Sequence, residues 1–205
     1  MKKMYKAMLL VLCAVLLVAG SVMGTLAYLK AQTATISNVM TIGKVEITLS
    51  ESAVNIYGEK TTGEIVATAS GVTGGENTYK LVPGHTYTKD PIVTVKANSE
   101  ACYLFVKVEN GIAAIEDSAN TIASQIEANG WTQLEGNIYY REINVATAIA
   151  GHSYPVFGTF KVSSAATADT LKTYADATIN ITAYAVQADG FGSAEAAWAA
   201  SGFGG

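Results

Sequence analysis

The stretch that decides the fold is Thr178-Ile179-Asn180-Ile181-Thr182-Ala183-Tyr184-Ala185-Val186, near the end of the printed sequence. Its small and branched apolar side chains fall on one face: Ile179, Ile181, Ala183 and Ala185. A period of two predicts a β-strand with one face turned towards a core. The Thr, Ile, Val and Tyr residues here also favour a pleated backbone.

The same alternation recurs through the rest of the chain, in residues 43–49, 92–96, 103–108, 138–143 and 156–162. Turn signals separate these segments, namely Pro83-Gly84, a hairpin connection at Glu135-Gly136-Asn137, and a loose surface loop over residues 71–75. Six or more short strands, with turns about every ten residues, predict an all-β antiparallel sandwich.

Two segments depart from this pattern and predict helices. Apolar residues recur at helical spacing in and before residues 117–129, and Gly130 follows as a stop signal. This helix is inserted between strands, with its acidic residues Glu116, Asp117 and Glu127 towards solvent. Near the end, Ser193 can cap a short helix over residues 194–200, which places Trp198 against the body of the protein. Residues 201–205 are expected to form a flexible tail.

Residues 1–27 predict a secretory signal peptide. Three lysines precede an apolar run over residues 7–23 that contains no charge. Small residues at −3 and −1, Thr25 and Ala27, then predict cleavage between Ala27 and Tyr28. The alternative is an uncut anchor, because the apolar run counted as far as Leu29 is about 23 residues and long enough to span a bilayer.

Charge and cysteine content narrow the range of partners. Three of the 13 basic residues and none of the 17 acidic residues lie in the leader, so the remainder carries a charge of −7. Without a cluster of Lys or Arg, such a chain is a poor ligand for nucleic acid or anionic lipid. Cys13 leaves with the leader. Cys102 is then alone in an apolar run, and we expect a buried, inert thiol.

Catalytic and metal-binding motifs are scarce in the sequence. The candidate metal ligands are His85 and His152, each in a Gly-His-Thr/Ser-Tyr segment just before a strand. They would need to meet in space, and a turn followed by a strand explains both segments without a metal. The sequence has no H-E-x-x-H, G-x-S-x-G or calcium-loop motif. No catalytic residue, cofactor or firm metal site is therefore predicted.

Three segments together resemble the TasA/camelysin family of secreted proteins, which are exported with a dedicated SipW-type signal peptidase. The first is the leader and cleavage site at residues 24–29, followed by residues 34–47 at the family's spacing. The second, residues 81–91, is similar to an L-x-P-G…K-D turn that leads into a strand. The third, residues 179–188, resembles the family's closing strand.

The resemblance implies a jelly-roll or Ig-like sandwich over residues 41–200, located at the cell surface or in the extracellular biofilm matrix. Its partners would be the SipW-type signal peptidase during export, matrix accessory proteins and copies of itself. In fibre-forming members the segment after the cleavage site is donated as a strand to a neighbouring subunit. Here that segment is residues 28–40, which contain no Pro or Gly. Its residues with strand propensity are Thr33, Thr35, Ile36, Val39 and Met40.

Three alternatives remain open at this point. Residues 28–40 could fold back as the protein's own first strand. The chain could be a monomeric surface adhesin or binding module, although a Pro-rich spacer and an L-P-x-T-G motif are both absent from the sequence. Some family members are described as metalloendopeptidases, but the usual zinc ligands and general base are not found in this sequence.

Overall fold

The computed structural model describes residues 2–28 and 42–204, which belong to two compact units. The first unit, residues 1–41, contains helix α1 (Lys2–Tyr28). Among the described residues, no helix has both the length and the apolar character that a bilayer span requires. The second unit, residues 42–205, holds the strands, and the rest of the fold concerns this unit alone.

The second unit is mostly β, and every described strand pair is antiparallel. The described strands are β1 (Ile47–Val54), β2 (Lys60–Thr68), β3 (Gly71–Thr73), β4 (Thr86–Thr88), β5 (Ile92–Val95), β6 (Cys102–Asn110), β7 (Thr132–Glu135), β8 (Ile138–Ile143), β9 (His152–Pro155), β10 (Thr159–Lys161) and β11 (Ile179–Gln187). They form a five-stranded sheet in the order β3-β2-β1-β5-β9, a four-stranded sheet in the order β11-β6-β8-β7, and the pair β10-β4. The prediction of an antiparallel, β-rich chain is confirmed.

The alternating segments locate most of these strands. Residues 138–143 coincide with β8, while β5, β6 and β11 differ from their predictions by one or two residues at an end. Strand β1 begins only at Ile47, and in residues 156–162 the strand is confined to β10. The sequence pattern missed β2. It also assigned residues 71–75 to a loop, whereas residues 71–73 form β3, because Thr73 and its neighbours pair with the backbone of β2.

The helices of this unit are more numerous than the two that the sequence predicts, one inserted between strands and one near the end. The described helices of this unit are α2 (Ile122–Ala128), α3 (Val145–Ala150), α4 (Ala168–Thr173) and α5 (Ala194–Ser201), with a 3₁₀ turn at Ala113–Ile115. Asn144 and Thr167 cap α3 and α4 by accepting hydrogen bonds from backbone N–H groups. Both helices are six residues long, which is too short for a clear apolar periodicity.

Helix α2 begins later than predicted, because polar side chains cap its first turn. Thr121 is its N-cap, and its hydroxyl accepts the N–H of Ser124 at 3.1 Å. The expectation that Glu116 faces solvent is wrong: its Oε1 accepts the N–H of Ile122 at 2.6 Å, and its burial raises the pKa of the carboxyl. Gly130, with φ of 83°, follows the helix as predicted.

One hydrophobic core receives side chains from both of the larger sheets. Strand β5 contributes Val93 and β6 contributes Leu104, and both are fully buried. Cys102 belongs to the same core, so the prediction that it is buried is confirmed, and burial raises the pKa of its thiol to about 11.

A second cluster covers the opposite face of the four-stranded sheet. Ser193 caps α5 as predicted, and Trp198 packs with its ring centroid 5.0 Å from that of Phe105. The sequence predicts a flexible tail over residues 201–205. Instead, Ser201 is the last residue of α5, and the ring of Phe203 stacks on Tyr184 at 4.7 Å. This face of the sheet is therefore closed by the end of the chain.

Candidate functional site

The feature that singles out a site is the open edge of β11. Among the described strands β11 pairs with β6 alone, in continuous register from Ile179 opposite Asn110 to Gln187 opposite Cys102. The N–H and C=O groups that point away from β6 are not hydrogen-bonded to any other described strand. An edge of this kind offers a template for another extended segment.

The other described sheet edges are shorter or carry charged side chains. Strand β2 pairs with β3 only at residues 66–68, and the rest of that edge carries Lys60 and Glu64. Strand β9 has four residues and ends at Pro155, which cannot donate a backbone hydrogen bond. Strand β7 also has four residues and an irregular register between Gln133 and Glu135. Strand β3 has only three residues. Strand β11, in contrast, has nine residues and contains neither proline nor a charged side chain.

The inner face of β11 is incompletely covered. Its side chains Ile181 and Ala183 pack on the main core but remain partly exposed, as do Ile47 and Leu49 of β1 across the core. In the centre of the same sheet Leu104 is fully buried. The core is therefore less well closed along the edge where β11 is hydrogen-bonded to no described strand.

A cavity lies at each end of β11. One, of about 450 Å³, is lined by residues 174–181 together with Leu49 and Ile65. The other, of about 330 Å³, is lined by residues 43–45 and 185–187. We refer to the β11 edge and these two cavities as the β11 groove. Its length along a strand edge suits an extended polypeptide better than a compact small molecule.

A buried ion pair forms part of the wall of the larger cavity. Lys89 donates to Glu51 Oε2 at 2.8 Å, and its side chain is only 8% exposed. Asn77 donates to the other carboxylate oxygen of Glu51 at 3.0 Å. Burial, and then the negative charges of Glu51 and Asp90, raise the pKa of Tyr79 in this wall well above its ordinary value. Tyr79 is therefore a neutral hydrogen-bond donor, and its hydroxyl donates to the carbonyl of Thr88 at 3.0 Å.

Asp90 fastens strand β1 to the segment before β5. Its carboxylate accepts hydrogen bonds from the N–H and the hydroxyl of Ser52, both at 2.8 Å, and from Lys60 at 2.7 Å. Burial alone would raise the pKa of this carboxyl, but the donors outweigh burial and hold the pKa of Asp90 below its ordinary value. Lys89 and Asp90, the K-D pair of residues 81–91, thus have structural roles.

Tyr87 holds the turn at Pro83-Gly84 in place. Its hydroxyl donates to the carbonyl of Lys80 at 2.6 Å and accepts the N–H of Val82 at 2.7 Å. The ring is fully buried and stacks on Phe160 at 4.8 Å. Residues 81–91 are therefore a rigid wall beside the β11 groove, with no group placed for catalysis.

The structure does not bring the two histidines together. His85 Nε2 lies 2.9 Å from the carbonyl oxygen of Tyr57, beyond the end of β1, whereas His152 pairs with Val95 beside Ile47 at its start. Eight strand residues at about 3.4 Å each place the histidines more than about 20 Å apart. Within residues 2–28 and 42–204, no three His, Cys, Asp or Glu side chains form a metal-binding group.

The other residues singled out by the sequence concern export and donation. Ala27 and Tyr28 are the last two residues of α1. The predicted donor residues Thr33, Thr35, Ile36, Val39 and Met40 lie outside the described residues. The sequence predicted a donor segment but no candidate acceptor. A signal for a candidate acceptor was the uncharged, proline-free composition of residues 179–187, which is unusual for an exposed edge.

Known proteins give no independent assignment of the β11 groove. No family model matches the chain, and no curated protein or solved structure matches it either. Its function is therefore inferred from its own sequence and geometry.

Proposed function

We propose that this chain is a secreted structural protein of the TasA/camelysin type, which assembles into extracellular-matrix fibres by strand donation. Residues 28–40 of one copy would occupy the β11 groove of the next. The observation that carries the proposal is the nine-residue, uncharged open edge of β11 above a partly covered core. Backbone hydrogen bonds would supply affinity, and alternate side chains would set the register.

The arrangement of the sheets supports a jelly-roll or Ig-like sandwich that lacks one strand. Both larger sheets contribute to the same core. A strand added beside β11 would extend the four-stranded sheet to five and cover Ile181 and Ala183. It would also satisfy the backbone groups of the open edge, which cannot stay unpaired in a dry groove without cost.

Chain direction favours donation over insertion of the segment into its own groove. Residues 43–45 line the cavity beside residues 185–187, so the second unit begins at the end of the groove where β11 finishes. A segment folded back from there would run parallel to β11. It could not pair with β1 instead, because β1 is already bonded to β2 and β5.

A segment from another copy can have the opposite direction. When copies stack in the same orientation, the donor enters the acceptor at Ile179 with residue 40 and reaches Gln187 with residue 28. It then runs antiparallel to β11, as every described strand pair does. Antiparallel pairing is somewhat more stable per residue than parallel pairing. Head-to-tail donation of this kind does not close on itself and yields a filament.

Export would precede assembly. Cleavage between Ala27 and Tyr28 by a SipW-type signal peptidase would free the donor segment outside the cell, where copies of the protein and matrix accessory proteins are its partners. N-terminal sequencing of the exported protein should give Tyr28 as the first residue. Recovery of the protein from the cytosol with Met1 intact would contradict this part of the proposal.

The test is the assembly state of the exported protein, measured by size exclusion and electron microscopy. We expect fibres from the parent chain and a folded monomer when residues 30–40 are deleted, a change that leaves the cleavage site intact. A peptide of residues 28–41 should bind the deletion variant one to one, and a scrambled peptide of the same composition should not. A parent that is monomeric at all concentrations, or a deletion variant that still forms fibres, would refute strand donation; the first result would favour an adhesin.

A further inference from the structure

Two exposed apolar patches lie at opposite ends of the second unit. The loop patch consists of Ile56 and Tyr57, between β1 and β2, and Val82, with exposed fractions of 46%, 46% and 39%. The helix patch consists of Val145 and Ile149, one turn apart on α3, with exposed fractions of 52% and 55%. Clusters of large apolar side chains on a surface often mark an interaction site.

Backbone contacts place the patches along the strand direction. The carbonyl of Ile56, just past the end of β1, accepts the N–H of Lys80 at 2.8 Å. The carbonyl of Ile149 accepts the N–H of Asn98 at 3.0 Å, in the connection after β5 that lies beside the start of β1. The whole length of β1 therefore separates the two patches.

The loop patch is held on a rigid frame. Asn55 Oδ1 accepts the N–H groups of Tyr57 at 2.9 Å and Glu59 at 3.1 Å. Gly58 has φ of 76°, and a Cβ there would lie 2.7 Å from the Cα of Tyr87. A glycine is thus required for the loop to pack on β4. The loop is fixed in a conformation that leaves its apolar side chains in solvent.

We propose that the loop patch of one copy packs against the helix patch of the next copy along the fibre. This inference rests on the proposed strand donation and specifies the contact between the folded bodies. The second unit begins at Ile42, which is 98% exposed, and the N–H of Glu100 donates to the carbonyl of Lys44 at the same end as the helix patch. Each donor segment therefore leaves its subunit beside its own helix patch.

The donor enters the next copy beside the loop patch. Ile179, at the entry end of the groove, lines the same cavity as Tyr79 and Leu81, next to the turn that carries Val82. Strand donation thus brings the helix-patch end of one copy to the loop-patch end of another. Pairing of two identical patches would give a closed dimer, whereas pairing of the two different patches gives an open-ended filament.

The direct test is cysteine cross-linking of the exported protein. Cys102 is buried and Cys13 belongs to the leader, so an introduced cysteine has no exposed competitor in the described part of the second unit. The variant with Ile56→Cys and Ile149→Cys should give a ladder of disulfide-linked multimers on mild oxidation. The matched control combines Thr132→Cys with Ile149→Cys. Thr132, on β7, is exposed and pairs with Tyr140 of β8, midway between the two ends of the unit. This variant should therefore not give a ladder.

Charge substitutions provide a second test. Ile56→Lys and Ile149→Glu should each weaken subunit association about tenfold or more, because each replaces a buried apolar contact by an unpaired charge. Their combination in one chain should restore much of the lost subunit association, since Lys and Glu would then face each other between copies. Thr132→Lys should leave assembly unchanged, and circular dichroism should show that all variants are folded.

Binding of the peptide of residues 28–41 separates this inference from the proposed function. We expect the end-patch variants, with residues 30–40 deleted, to bind the peptide as well as their parent does. Normal peptide binding and normal fibres from the charge variants, with no cross-linked ladder, would overturn the end-to-end contact and leave strand donation intact. Failure of the parent to bind the peptide or to form fibres would overturn both.

Discussion

At the scale of single residues, the buried pair of Lys89 and Glu51 shows how a polar network supports the groove. The two residues are 38 positions apart and meet at 2.8 Å with little solvent. No buried side-chain polar atom lacks a partner among the described residues. The pair is therefore fully satisfied, and removal of one member would leave the other charge buried and alone.

We expect Glu51→Ala to lower the free energy of unfolding by about 3 kcal/mol, because the ammonium of Lys89 loses its counter-charge. Urea denaturation followed by circular dichroism measures the change. The control is Glu46→Ala, which breaks the exposed pair with Lys44 and should cost no more than about 0.5 kcal/mol. An equal effect of both substitutions would show that the buried pair does not stabilise the fold.

The environment of Asp90 predicts how the stability of the fold depends on pH. Its folded-state pKa is depressed, so it stabilises the fold at pH values above its unfolded pKa of about 4 and loses this effect as pH falls through the folded value. Asp90→Asn should therefore be less stable than the parent at neutral pH, and the difference should shrink below about pH 4. Urea midpoints between pH 7 and pH 3 measure this. The exposed Asp189→Asn is the control, and a difference that is constant with pH would contradict the assignment.

At the scale of elements, helix α5 is held by one aromatic anchor. Trp198 is 6% exposed, and its Nε1–H donates to Glu135 at 3.2 Å, 63 residues away in sequence. We expect Trp198→Ala to cost about 3 kcal/mol in urea unfolding, because a large cavity replaces the indole. The exposed Ala199→Ser in the same helix should cost well under 1 kcal/mol. A loss below 1 kcal/mol for Trp198→Ala would show that α5 does not stabilise the sheet.

Strand β11 offers a matched pair of substitutions on its two faces. Ala185 faces the groove beside the smaller cavity, whereas Thr182 is exposed on the opposite face. Ala185→Arg should leave a folded monomer that no longer forms fibres, because an inward charge blocks a new strand. Thr182→Arg places the same charge on the outer face and should assemble normally. Fibres from both variants in electron microscopy would contradict the groove as the acceptor.

At the scale of the whole molecule, the proposed assembly would couple the groove to the second unit's two ends. A donor strand would fix the neighbour along the groove, and the end patches would fix its orientation. Strand donation alone leaves rotation about a short linker, so patch variants should give flexible or short fibres before they abolish peptide binding. Fibre length in electron micrographs, compared with Thr132→Lys as the control, measures this effect. Equal lengths for the patch variants and the control would contradict a role in orientation.

The printed sequence by itself determined the local structure. Alternation in residues 138–143 located β8, alternation in residues 178–186 located β11 to within one residue, and Ser193 and Gly130 located helix ends. These features depend on side-chain period and capping groups within a few residues, which a single sequence displays. The sequence pattern did not predict strand β2, because the alternation in Lys60–Thr68 is broken. The position of this strand depends on its pairing with β1.

Only the tertiary structure decided which residues meet. It separated His85 from His152 despite their similar sequence settings, and it joined Lys89 to Glu51. Among the described strands, it also left β11 with a nine-residue, uncharged edge that is hydrogen-bonded to no other strand. Pairing and burial are set by contacts between residues far apart in the chain, and local propensity carries no information about the partner.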